Sequence, residues 1–261
     1  SSAASDVYKR QIESFPLLPE ELSLYQGISL ILINLLCAFI STALSLGGGI
    51  LMLVSLSFFL PPVALVPVHG AIQLGSNFSR IFVSFKEVDI KLIIPFVFGT
   101  LLGSYFGATI VENISPSLGQ IGVGLFILYS IFGKFPQLGK KFMFIGGIVS
   151  STMSILFGAS GPIVATFIRS LNFPPLKHVA THGAMMTFQH GLKCLAFFLI
   201  GFAFDQYLLF LILMILVGFV GTYLGKLFLI SKGEKYFKKV LSLILFFGAL
   251  RLIYLGLQSY L

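Results

Sequence analysis

The stretch PPVALVPVHGA at Pro61–Ala71 returns 113 positions later as PPLKHVATHGA at Pro174–Ala184. Each copy sets a histidine beside Gly-Ala inside a long apolar run. The correspondence extends in both directions without a gap: Ser41 meets Ser154, Gly48 meets Gly161, Asn77 meets His190 and Arg80 meets Lys193. Ten positions between Phe39 and Val83 are identical in the two copies. A chain that repeats its polar residues inside apolar segments is building one site from two halves, as many membrane transporters do.

Composition places these halves in a bilayer. Of 261 residues, 57% are hydrophobic and 10% charged, and the mean hydropathy is +1.00. A soluble domain carries about 25% charged residues, so this chain lacks the material for a water-compatible surface. Runs such as Leu92–Val111 and Tyr207–Tyr223 hold no charge and are long enough to cross a hydrocarbon core of about 30 Å. The expected fold is an all-α polytopic membrane protein. The alternating short segments of a β-barrel are missing. Cys37 and Cys194 both lie in apolar segments and read as small core residues. No cofactor or metal spacing accompanies them. Residues 1–22 read as an N-terminal tail. Its first eleven residues, SSAASDVYKRQ, look like an adapter remnant rather than a signal peptide.

Apolar segments fall at about 27–45, 50–60, 63–85, 91–111 and 117–134, then at about 141–157, 162–171, 174–201, 204–228 and 236–258. They divide into a first membrane repeat at 23–135 and a second at 136–261. The second segment of each half is short. It follows a break, SLGGGI at Ser45–Ile50 or FGASGP at Phe157–Pro162, and precedes Pro-Pro. Glycine weakens helix and proline starts the next one, so each half carries a broken or re-entrant helix. Full-length segments alone give eight spans, and all segments give ten. With ten, Lys86, Lys91, Lys140, Lys141, Arg169, Lys177, Lys226 and Lys235 share one side, whereas Glu112 and Asp205 lie opposite. The positive-inside rule therefore predicts two inverted repeats of five segments, basic loops in the cytoplasm and both termini outside.

The nine acidic residues sit in tails or short connections, which argues against a cation carrier of the usual kind. The ionisable groups within spans are His69, Arg80, His178, His182, His190, Lys193 and Arg251. Arg251, near a segment end and without a repeat mate, reads as reaching to the headgroups. On a helix, Gln73, Asn77 and Arg80 follow His69 at steps of four, four and three, and so share its face. His182, Met186, His190 and Lys193 repeat those steps. One polar stripe ending in a cation, present in each half, suggests a path for an anion. The breaks would complete the site with free N–H groups at Gly47, Gly48, Gly49, Gly158 and Gly161, and with the hydroxyls of Ser45 and Ser160. Gly99, Gly103 and Gly107, and again Gly221 and Gly225, have small-xxx-small spacing for helix contacts within a protomer or across a homodimer.

With LSLGGGI, FGASGP and the paired PP…HGA segments in view, the chain from about Ser23 onward resembles the TauE/SafE family of sulfite exporter-like permeases. The resemblance implies export of sulfite, sulfoacetate or another organosulfonate across the cytoplasmic membrane, by a protein that is not an enzyme. The partners would be a small sulfur-containing anion and the lipid bilayer, with no nucleic acid. Two other readings stay open on the residues. His178, His182 and His190 would serve a divalent-metal or other cation permease, and an intramembrane enzyme or scaffold is the remaining class.

Overall fold

A computed structural model describes residues 17–44, 47–134, 139–228 and 234–260 (side chains of the last helix from 239). Among them are ten α-helices and no strand, five helices from each half. The first half folds as α1 Leu24–Ala43, α2 Gly48–Leu56, α3 Pro62–Ser84, α4 Ile90–Val111 and α5 Pro116–Phe132. The second gives α6 Met143–Phe157, α7 Gly161–Arg169, α8 Pro175–Leu199, α9 Leu208–Leu227 and α10 Glu234–Leu257. Local chemistry sets the boundaries. Ser23 and Gln26 form a capping box at the start of α1. Pro61-Pro62 and Pro174-Pro175 open α3 and α8, where a missing N–H costs nothing. Gly47, at φ +99°, and Gly158, at φ +76°, occupy a backbone region that only glycine enters cheaply, and they form the two breaks.

Five helical stretches are long and apolar enough to cross a membrane: Leu24–Ala43, Ile90–Val111, Lys140–Phe157, Phe204–Leu227 and Lys239–Tyr260. The long helices α3 and α8, of 23 and 25 residues, fall outside that set because their polar stripes lower their hydropathy. They form the centre of the bundle. Large apolar side chains such as Phe82, Phe98, Phe198 and Phe247 cover the outside, as lipid contact requires.

Glycines decide who packs on whom. Gly99 and Gly103 of α4, with Gly147 of α6, bring those backbones into contact, so that a Cβ on Gly103 would collide with the Ile148 carbonyl. Gly221 and Gly225 of α9 meet Leu35 and Phe39 of α1 in the same way. Both stripes are therefore used inside the chain. Buried polar bonds hold each pair: Ser104 to Ser151 at 2.7 Å, and Asn34 Nδ2 to the Met214 carbonyl at 2.6 Å. In both pairs residue numbers rise together, so the helices run parallel.

The central pair is different. A Cβ on Gly70 would lie 2.8 Å from Lys193 Cε, and one on Gly183 would lie 2.9 Å from Arg80 Cβ. These are the same contact with the halves exchanged, and they make α3 and α8 antiparallel. The α5–α10 pair is antiparallel too, with Ser117 bonded to Ser259 and Gly124 packed on Ile253. The nine-residue helices α2 and α7, about 14 Å long, start beside the middle of α3 and α8. Each returns toward the end where its own long helix begins. Because α3 and α8 are antiparallel, α2 and α7 leave the centre in opposite directions. Arg251 does not reach outward as its position suggested. Its Nη1 donates to the Ser57 carbonyl at 2.8 Å, and the guanidinium lies 4.2 Å from the Phe58 ring centroid, pinning α10 to the end of α2.

Candidate functional site

The starts of α2 and α7 face one another across a small cavity walled by α3 and α8. Its volume is about 40 Å³, room for roughly three water molecules. Half one contributes Gly47, Gly49, His69, Gln73, Asn77 and Arg80 to the lining. Half two contributes Ser160, Gly161, His182 and His190. Ten of the fourteen residues picked out from sequence thus border a single space. Gly48, Gly158 and Lys193 stand behind it, and Ser45 lies outside the described residues. Ser41, Ile50, Ala159, Pro162 and Met186, which are not among those fourteen, complete the wall.

The two repeated histidines act first on the backbone. His69 Nε2 is 2.9 Å from the Gly49 carbonyl, and His182 Nε2 is 3.2 Å from that of Gly161. A carbonyl can only accept, so each Nε2 carries its proton and donates. Each bond ties the first turn of a short helix to the long helix beside it. His190 reaches from α8 to α3 and meets His69 edge-on, with ring centroids 6.0 Å apart. His178 stacks on His182 at 6.3 Å, but no group of three metal-ligating side chains gathers among the described residues.

Gln189 is the residue that sequence reasoning missed. Its amide donates to the Ser150 carbonyl at 2.9 Å and to Ser160 Oγ, while Ser150 Oγ donates to its Oε1 at 3.3 Å. Ser160 is the N-cap of α7 but makes no side-chain bond to its own helix. With an acceptor lobe of Ser160 already engaged by Gln189, its O–H remains to donate into the cavity. A signal was present: Gln189 follows His182 by seven residues, two helical turns along the same face. Its repeat mate is Ser76, so a comparison of the halves passes over it.

Charge is one-sided. Arg80 is 4% exposed and Lys193 is 0% exposed. Neither meets a carboxylate, and the ion pair among the described residues is the distant Lys177–Asp89, at 3.0 Å. Lys193 Nζ donates to the Gly158 carbonyl at 3.0 Å, at the C-terminal end of α6, where a helix favours a cation. Arg80 borders the cavity, and its Nε has no hydrogen-bond partner among the described residues. The α2 start adds first-turn N–H groups with no acceptor inside the helix. The α7 start offers fewer, because Pro162 has none. A cavity with a buried guanidinium, a hydroxyl, free N–H groups and no acid is suited to a small anion.

Residues 30–252 match the family Sulfite exporter TauE/SafE. The chain belongs to that family. TauE/SafE proteins are membrane permeases that export sulfite and related sulfur anions, so this is a multi-pass membrane transporter. No curated protein and no solved structure matches the chain. The matched segment contains both breaks, both PP…HGA helices and every residue of the TauE/SafE cavity wall.

Proposed function

We propose that this protein exports a small sulfur oxyanion of sulfite size across the cytoplasmic membrane by alternating access. The observation that carries the reading is the buried Arg80 guanidinium, bordering a cavity without an acid where the starts of α2 and α7 converge. First-turn N–H groups of α2, the Ser160 hydroxyl and Arg80 hold the anion. His69 and His182 fix the two helix starts beside it, and Gln73, Asn77 and His190 close the wall. Buried charge attracts an anion strongly because little water screens it.

The two halves act as inverted repeats. The antiparallel α3–α8 and α5–α10 pairs, the parallel α1–α9 and α4–α6 pairs, and the opposite departures of α2 and α7 all support a two-fold axis across the helices. With basic connections in the cytoplasm, both termini lie outside. Rocking one half against the other would open the shared site to each side in turn. His69 and His182 keep each short helix moving with its long one.

The test is a thermal-shift series on the purified protein with sulfite, thiosulfate, sulfate and sulfoacetate, followed by uptake into proteoliposomes. Sulfite should raise Tm in a saturable way, and replacing both His69 and His182 by alanine should abolish its flux. Unchanged flux in that double variant would overturn the site assignment.

A further inference from the structure

A second cavity, about 430 Å³, opens at the end of the bundle where α3 begins. Exposed Ser115, Pro116 and Gln206 form its rim, and buried Leu65, Ile155 and Leu156 its floor. The wall between this floor and the anion cavity is thin and traceable along three helices. Leading out of α6, Leu156 faces the large cavity and Ala159 the small one, with Gly158 between. Along α3, Val66 faces the large cavity and His69 the small. Along α8, Phe197 faces the large and His190 the small, and Lys193 lies one turn from each. Lys193 Nζ is bonded to Gly158, and a Cβ on Gly158 would lie 3.1 Å from Leu53 and 3.4 Å from Val66. Four residues thus make the partition. At the opposite end polar contacts tie the α3–α4 connection to α8: Lys177 pairs with Asp89, and the Asp89 N–H donates to Thr181 Oγ1 at 3.1 Å.

We propose that the large cavity is the vestibule of the anion route and that Lys193 is its gate cation. As the anion crosses the partition, the ammonium leaves the Gly158 carbonyl for the anion and returns after it has passed. This rests on the reading of the central cavity as an anion site. A buried ammonium whose partner is one neutral carbonyl gains by exchanging it for a charged acceptor. Lysine suits the exchange, with a flexible four-carbon stem and three donors. Without that cation the partition is an apolar constriction, which resists a bare anion.

The experiment compares an anionic and a neutral methanethiosulfonate reagent on single cysteines, in a chain whose Cys37 and Cys194 are replaced by alanine. Gln206→Cys on the rim should react readily with both. Met186→Cys in the anion cavity should react with both, and adding Lys193→Met should lower the anionic-to-neutral rate ratio about tenfold, the factor for one charge-assisted hydrogen bond. Val66→Ala, which thins the partition without touching the cation, should speed both reagents and leave the ratio unchanged. Equal slowing of both reagents by Lys193→Met would reduce Lys193 to a packing role and overturn the gate, as would an unreactive Gln206→Cys. Sulfite-induced thermal shift of the wild-type chain is scored separately. A fall in the ratio without sulfite binding keeps the gate and rejects the substrate, whereas sulfite binding with an unchanged ratio does the reverse.

Discussion

The breaks before α2 and α7 occupy equivalent places in the two halves and meet at one cavity, yet they are built from different chemistry. The first is glycine: Gly48 packs directly on the α1 backbone at Cys37, with Gly47 against Leu241 of α10 and Gly49 against Gln73 of α3. The second is side chain: Ser160 oriented by Gln189, Pro162 in the first turn, and Lys193 on the carbonyl of Gly158. The order of helices and breaks repeats in the two halves, but the chemistry at the site does not. A symmetric cradle would hold an anion equally from both sides. This one sets backbone N–H groups against a hydroxyl, with Arg80 on the cavity and its mate Lys193 withdrawn behind the wall.

The sharpest way to break the comparison is at the repeat mates Gly48 and Gly161. A Cβ on Gly48 would collide with the Cys37 carbonyl, which is backbone and cannot step aside. A Cβ on Gly161 meets nothing within 4 Å. Gly48→Ala should therefore lower stability by about 3 kcal/mol or more and abolish sulfite flux, while Gly161→Ala should fold and transport. Tm and proteoliposome flux read both, and equal tolerance at the two positions would mean that the start of α2 is not packed on α1.

Next in size is Arg80. Arg80→Met removes a charge that has no carboxylate partner among the described residues, so Tm should hold or rise. Sulfite affinity, measured by calorimetry, should fall between about tenfold and a hundredfold, the range for a hydrogen bond to a charged group. A loss of Tm with affinity intact would make Arg80 structural.

Much of this contrast could be read from the chain, and the missing part has a physical cause. All ten segments were visible, because apolar runs and Gly or Pro punctuation are local signals. The stripe from His69 to Arg80 was visible for the same reason, since helical spacing puts it on one face. Partner choice was not. Nothing local says that Gly99 and Gly103 pack on α6 rather than on a second protomer, or that Lys193 turns its ammonium to Gly158 and away from the cavity. Gln189 escaped because its role exists only once α6, α7 and α8 meet.

Gln189 gives a smaller effect. Gln189→Leu leaves Ser160 without its orienting donor and Ser150 Oγ with only the Gly147 carbonyl at 3.5 Å, so affinity should drop several-fold, about 1 kcal/mol for one neutral hydrogen bond. Ser76→Ala at the repeat mate should leave affinity unchanged, because the N-cap that matches Ser160 is Gly47, which has no hydroxyl to orient. Matching losses at the two positions would place the effect in helix packing rather than in the hydroxyl.

The smallest effect belongs to the two ends of the bundle. Asp89 joins the α3–α4 connection to Lys177 and Thr181 of α8, whereas its repeat mate is Phe202, which lines the large cavity. Lys177 and Asp89 are partly exposed, at 33% and 18%, so screening limits the pair to less than about 1 kcal/mol. Asp89→Asn should therefore move Tm by no more than a few degrees, and its effect should shrink as salt is added. It loosens only the tied end, so it should raise the reactivity of a cysteine there, such as Thr181→Cys, and leave Gln206→Cys unchanged. Equal changes at both ends would mean that the pair holds the whole bundle together and closes neither end.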